Sequence, residues 1–162
     1  MIEADPKGQL KTIKFRVFGL PGPQGSKTFK GYKNGRGIMV ESSLKVKPWR
    51  QAIQATADGN YSGEPITGPV RVEIDFFFAR PKSHYRTGKY SNLLKLDAPN
   101  YTISHGDGDL DKLLRSTIDG LSFSTGGKII RDDCLVVSIS SSKQYANLIT
   151  PPGAAIKVIE LP

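Results

Sequence analysis

Cysteine is nearly missing from this sequence: its 162 residues include one, Cys134. A single thiol excludes an intrachain disulfide and any multi-cysteine zinc site, and it fits a reducing, cytoplasmic compartment. Because Cys134 opens an apolar run, it is expected to be a buried structural thiol. Long hydrophobic runs are missing too. No stretch approaches the ~20 residues of a membrane span, so no membrane partner is expected, and the N-terminus lacks the hydrophobic core of a signal peptide. Acids are scarce beside bases: 15 Asp and Glu stand against 23 Lys and Arg, for a formal net charge of +8. That excess favours a polyanionic partner, most simply nucleic acid. There is no internal repeat and no low-complexity tract. The length fits a single domain over residues 1–162, with enough chain to bury a core.

The periodicity that is present reads as follows. Residues 1–11 are polar and expected to fray. Ile13, Phe15 and Val17 alternate with Lys14 and Arg16, which predicts a strand. Leu20 to Lys27, rich in Pro and Gly, breaks it into a loop. Segments 28–33 and 36–41 flank Asn34-Gly35, a hairpin signal, and Lys27, Lys30, Lys33 and Arg36 cluster around that turn and its first arm. Pro48 opens a helix at its first position, with Trp49, Ala52, Ile53 and Ala57 at helical spacing and Asp58-Gly59 as its end. A polar loop is expected over 60–68. Val70, Val72, Ile74, Phe76 and Phe78 alternate strictly and give the clearest strand. Residues 79–106 form a long basic connection with Tyr85, Tyr90 and Tyr101 interleaved, and a loop of that length is functional or disordered. A helix follows over about 109–121, then strands over 134–145 and 156–161. This order predicts an α+β fold: a mixed β-sheet with helices packed on one face.

One short region concentrates the acids. Asp107, Asp109, Asp111, Asp119, Asp132 and Asp133 fall within 27 residues of a basic chain. Leu110, Leu113, Leu114, Thr117 and Leu121 mark one helix face, so Asp109 and Asp111 sit at the helix start. There they have a bland reading as caps, and Asp132-Asp133 has one as a turn before a strand. Their concentration at the ends of regular elements sets beside those readings an equal one, an all-oxygen site for Mg²⁺ or Mn²⁺. Arg115 lies four residues from both Asp111 and Asp119. It reads either as the middle of an ion-pair ladder or as a cation that steadies charge on a phosphate. His105 reads as an exposed polar residue. The glycines of residues 22–37 match neither the P-loop nor the dinucleotide fingerprint and are assigned to turn geometry.

Three motifs resemble the RusA family of Holliday-junction resolvases, often carried by phages and prophages. Asp109-Leu110-Asp111-Lys112-Leu113-Leu114-Arg115 is similar to its Asp-x-Asp-Asn/Lys-Leu-x-Lys/Arg segment. Asp119-Gly120-Leu121 and Asp132-Asp133 follow as in the family, and the segments Leu20 to Lys27 and Lys47 to Arg50 look like a phage-type branch. The resemblance, spread over residues 13–145, implies a homodimeric endonuclease that depends on Mg²⁺ or Mn²⁺ and acts on branched DNA. It implies essential carboxylates at Asp109, Asp111 and Asp133, with Asp132 as a supporting acid of the metal set. The family's catalytic lysine position falls on Arg115, which keeps the charge but is a poor proton donor. Lys112 stands where other members have Asn, and Gly108 replaces a common Pro.

The expected function is therefore structure-selective cleavage of four-way junctions by paired nicks, with Lys27, Lys30, Lys33, Arg36, Lys112 and Arg115 gripping DNA without reading sequence. Rival readings are a less selective flap or fork nuclease and a catalytically silent DNA-binding protein.

Overall fold

The computed structural model describes residues 2–3, 10–25, 27–41 and 43–162. The fold is α+β, as the periodicity predicts. Its strands are β1 (Ile2–Glu3), β2 (Thr12–Phe18), β3 (Lys27–Lys33), β4 (Arg36–Glu41), β5 (Val70–Phe78), β6 (Val136–Tyr145) and β7 (Gly153–Glu160). Two helices, α1 (Val46–Asn60) and α2 (Leu110–Leu121), complete it. The main sheet runs β1-β2-β7-β5-β6, and β3 and β4 pair separately. Within the main sheet, among the described residues, β5 and β6 pair in parallel and the other neighbouring strands are antiparallel.

The sheet has one apolar face. Ile13, Phe15 and Val17 of β2, alternate residues Val70 to Phe78 of β5, and Ala154, Ile156 and Val158 of β7 are all buried there. Both helices cover that face. Trp49, Ile53 and Ala57 of α1 and Leu113 and Leu121 of α2 join the strands in one core cluster. Gly120 lets the helices approach closely, since a Cβ there would lie 3.1–3.2 Å from Ile53. The buried Trp49 indole N–H donates to Thr117 Oγ1 at 2.9 Å and ties the helices together in polar terms as well.

Several boundaries move. α1 begins two residues before Pro48, which sits in the first turn, where backbone N–H groups have no intrahelical acceptor anyway. It also runs past Asp58-Gly59, because buried Tyr61 closes the last turn with its N–H on the Ala57 carbonyl. The expected polar loop after it is anchored in the core: Ile66 is buried and bonds on both sides to the 129–131 segment. β7 starts at Gly153, three residues before the predicted position. Gly-Ala-Ala carries little strand propensity, but it lies between β2 and β5 and pairs with both.

β6 starts at Val136, because residues 133–135 form a 3₁₀ turn. Cys134 lies in that turn and is exposed, which corrects the expectation of a buried thiol. Within the expected fraying segment, Ile2–Glu3 pairs with β2; residues 1 and 4–9 lie outside the described residues. The 79–106 connection is built from 3₁₀ turns and a Tyr85–Leu94 bridge, and its end runs along β6 through a Tyr101–Gln144 bridge. Among the described residues, no helix is long and apolar enough to cross a membrane.

Replacing Thr117 by Val should strand the Trp49 indole N–H in the core and lower unfolding free energy by about 1–3 kcal/mol. A urea denaturation curve with an unchanged midpoint would show that this bond does not hold the helices together.

Candidate functional site

Because β5 and β6 are parallel, the chain between them must cross over, and α2 lies within that crossover. Its amphipathic pattern sets its orientation. Leu113, Ser116, Thr117, Ile118, Gly120 and Leu121 are buried, while Asp111, Lys112 and Arg115 are exposed. Asp111, Leu114, Arg115 and Asp119 on its outer side, with the edge of buried Ile118, face Asp133 of the 133–135 turn and Val136 and Ile139 of β6 across a cleft of about 360 Å³. Arg115 and two of the expected essential acids, Asp111 and Asp133, therefore share one cleft.

The other two expected acids point elsewhere. Asp109 is the residue before α2, yet its side chain makes no cap bond. It pairs with Lys112 Nζ at 2.8 Å instead, so the cap reading fails for it. With His105, Gln24 and Ser43 it lines a neighbouring hollow of about 320 Å³. Asp132 accepts the Cys134 N–H at 3.1 Å and so fixes the turn that presents Asp133. Asp107 accepts a bond from Thr102 and closes its own loop. Among the described residues, no three carboxylate, His or Cys side chains gather around one point. The reason is the length of the helix. At 1.5 Å per residue, Asp111 and Asp119 lie about 12 Å apart along its axis.

Electrostatics separate these acids further. The Lys112 ammonium, first by its hydrogen bond and then by its charge, holds the Asp109 carboxyl below the usual range. The Cys134 backbone N–H does the same for Asp132, and Asp132 in turn pushes the Cys134 thiol up. Asp119 moves the other way. Burial raises its pKa, and nearby Asp133 adds to this, against the lowering pull of Arg50, Arg115 and Lys27.

Asp119 and Arg50 were absent from the expected site. Arg50 of α1 forms the ion pair with Asp119 that helix spacing offered Arg115 as one of two readings. Within one helix the i, i+4 geometry favoured Arg115, and only the packing of α1 on α2 brings Arg50 into reach. The ladder Asp111–Arg115–Asp119 does not form. Among the described residues Arg115 makes no ion pair, and it is exposed at the cleft. The sequence signals for Asp119 were its place in the acidic region and the Asp119-Gly120-Leu121 motif, and neither pointed to Arg50 as its partner.

The basic residues fall into two groups. Lys112 and Arg115 stand on α2 at the site. Lys27, Lys30, Lys33 and Arg36 are all exposed on the β3–β4 hairpin. The hairpin lies on the Arg50 side of the cleft, since Val40 of β4 and Arg50 line one hollow.

In comparison with known families, the family model for endodeoxyribonuclease RusA matches residues 21–159 of the chain, a span that includes the hairpin, both helices and every acid described above. No curated protein is similar enough to count as a match.

The Asp109–Lys112 pair yields a direct measurement. Replacing Lys112 by Ala should let the Asp109 carboxyl titrate higher, toward its ordinary value of 3.8, as followed by carboxyl NMR. Stability at neutral pH should hardly change, because the pair is exposed. An unmoved titration would mean that Lys112 does not hold this carboxylate.

Proposed function

The chain belongs to the RusA endodeoxyribonuclease family, and on that premise we propose that it resolves four-way DNA junctions by paired nicks, as a homodimer using Mg²⁺ or Mn²⁺. One observation carries this reading: an arginine without an ion-pair partner among the described residues stands beside Asp111 and Asp133 in an open cleft. In a basic chain such a cation is left available for a phosphate, and the acids beside it for a metal.

The donor set fits the ion. It is oxygen only, exposed and roomy. Mg²⁺ keeps much of its water and takes one or two carboxylates plus substrate phosphate, so a three-acid cage is not required. Asp111 at one end of the cleft or Asp133 at the other would hold an ion through its single carboxylate, with Asp109 available at the Asp111 end once Lys112 turns to the DNA backbone. The bound ion supplies Lewis acidity at the scissile phosphate.

The chain's own residues do the rest. Arg115 donates N–H bonds to the phosphate oxygens and stabilises the charge that grows as water attacks in line and the opposite bridging oxygen leaves. Its fork suits a phosphate, and a guanidinium serves as an electrostatic partner rather than a proton donor. Arg50 positions Asp119, which keeps that carboxylate from pairing with Arg115. Asp132 holds the turn that aims Asp133. Lys112 and the hairpin lysines bind the backbone without reading bases. Two-fold pairing of chains would match the two equivalent scissile phosphates of a junction.

A labelled four-way junction incubated with Mg²⁺ and with chelator tests the proposal. Asp111→Asn should abolish nicking while binding survives, and near-normal nicking at limiting Mg²⁺ would reject Asp111 as a ligand. Arg115→Ala should slow cleavage by roughly a hundredfold or more with little change in melting temperature. A lowered melting temperature with cleavage intact would make Arg115 structural. Arg115→Lys then separates charge from shape: full activity means that charge at this position suffices, and a large loss means that the planar fork is needed.

A further inference from the structure

The β3–β4 hairpin has a feature that phosphate binding does not require. Neither strand joins the main sheet. Its turn is tight, with Asn34 at φ 52° and Gly35 at φ 75°, and it pairs Lys33 with Arg36. Phe29 pairs with Met39 and Tyr32 with Gly37, so three steps along β3 match two along β4. In an unbroken strand, residues three apart point to opposite faces. Here a bulge at Lys30-Gly31, with Gly31 at φ 111°, cancels the alternation. Phe29 and Tyr32 thereby reach the same face, with ring centroids 5.2 Å apart and planes 75° from parallel. Phe29 lies over bare Gly37, whose Cβ would approach its ring to 3.3 Å. Among the described residues both rings stand open: Tyr32 is 76% exposed and Phe29 51%.

We propose that this aromatic pair stacks on DNA bases: Tyr32, braced by Phe29, packs against a base face left open at the branch point of the junction. The inference rests on the junction-cleaving reading above and adds to it the surface that recognises the branch. Charge selects the partner. Lys27, Lys30, Lys33 and Arg36 flank and interleave the two rings along the hairpin, and no residue from Thr28 to Val40 is acidic. Lys30, Lys33 and Arg36 form no ion pair among the described residues. Exposed aromatic rings interleaved with unpaired cations are the chemistry of nucleic acid with accessible base faces. The same four cations would repel the identical hairpin of a second copy. Location agrees, because Val40 of the hairpin lines one hollow with Arg50, which pairs with Asp119 at the cleft, so one DNA can lie across both. Intact duplex hides its base faces and offers phosphates alone, whereas a branch point presents the faces of its terminal pairs.

The test measures affinity of the full chain, in chelator, for a synthetic four-way junction and for linear duplex of equal length. Tyr32→Ala should weaken junction binding about tenfold or more, the scale of one lost base–aromatic stack, and leave duplex binding unchanged. Tyr32→Phe should restore the junction affinity, since the ring and not the hydroxyl stacks. Lys33→Ala should weaken both complexes alike. Wild-type selectivity that survives Tyr32→Ala overturns the stacking role alone. Equal losses on both DNAs, or a change in oligomeric state that tracks the loss, also overturn it. Wild-type protein that holds junction and duplex equally overturns the junction reading itself, and the stacking role with it.

Discussion

The parallel pairing of β5 with β6 governs the arrangement of this protein. Antiparallel strands close with a short turn, but a parallel pair forces the chain to travel the length of the sheet and return. Here the return passes through α2, which must also cover the apolar face of the sheet. One helix therefore has two tasks. Its Leu113 and Leu121 side is committed to the core, and whatever chemistry it carries must lie along the remaining stripe. The start of β6 follows directly, so the 132–133 acids arrive beside the far end of that stripe.

This geometry explains how a basic chain keeps a group of acids usable. Left alone, the nearest cations would neutralise them. The fold distributes partners instead. Lys112 takes Asp109, Arg50 reaches from α1 to take Asp119, and a backbone N–H takes Asp132. Asp111 and Asp133 remain in the cleft with Arg115 between the two ends. The Arg50–Asp119 pair in turn depends on close helix packing, which Gly120 permits and the Trp49–Thr117 bond fixes. A core contact and a surface charge pattern are thus parts of one construction.

The hairpin shows the same economy at a smaller scale. Its backbone turn is set by Asn34-Gly35, yet its side-chain display depends on one extra residue in β3. Without the Lys30-Gly31 bulge, Phe29 and Tyr32 would stand on opposite faces and neither would brace the other.

Local sequence settled much of this. Alternation in β2 and β5 is strict enough to fix strands and their buried face, since a period of two has no helical equivalent. The heptad-like leucines fixed α2, Asn34-Gly35 fixed the hairpin, and the Asp-x-Asp, Asp-Gly-Leu and Asp-Asp spacings carried the family. Charge alone pointed to a polyanion. What sequence could not supply was every relation between elements distant along the chain. Gly-Ala-Ala at 153–155 is strand only because two neighbours bond it. Cys134 is exposed because a 3₁₀ turn, and not the apolar run after it, decides its place. Spacing within α2 offered Arg115 to Asp119, but packing gave Asp119 to Arg50, because a helix neighbour at i+4 competes with a cation that tertiary contact brings closer. Periodicity records which face of an element is buried; which side chain meets which across two elements is decided only when the core closes.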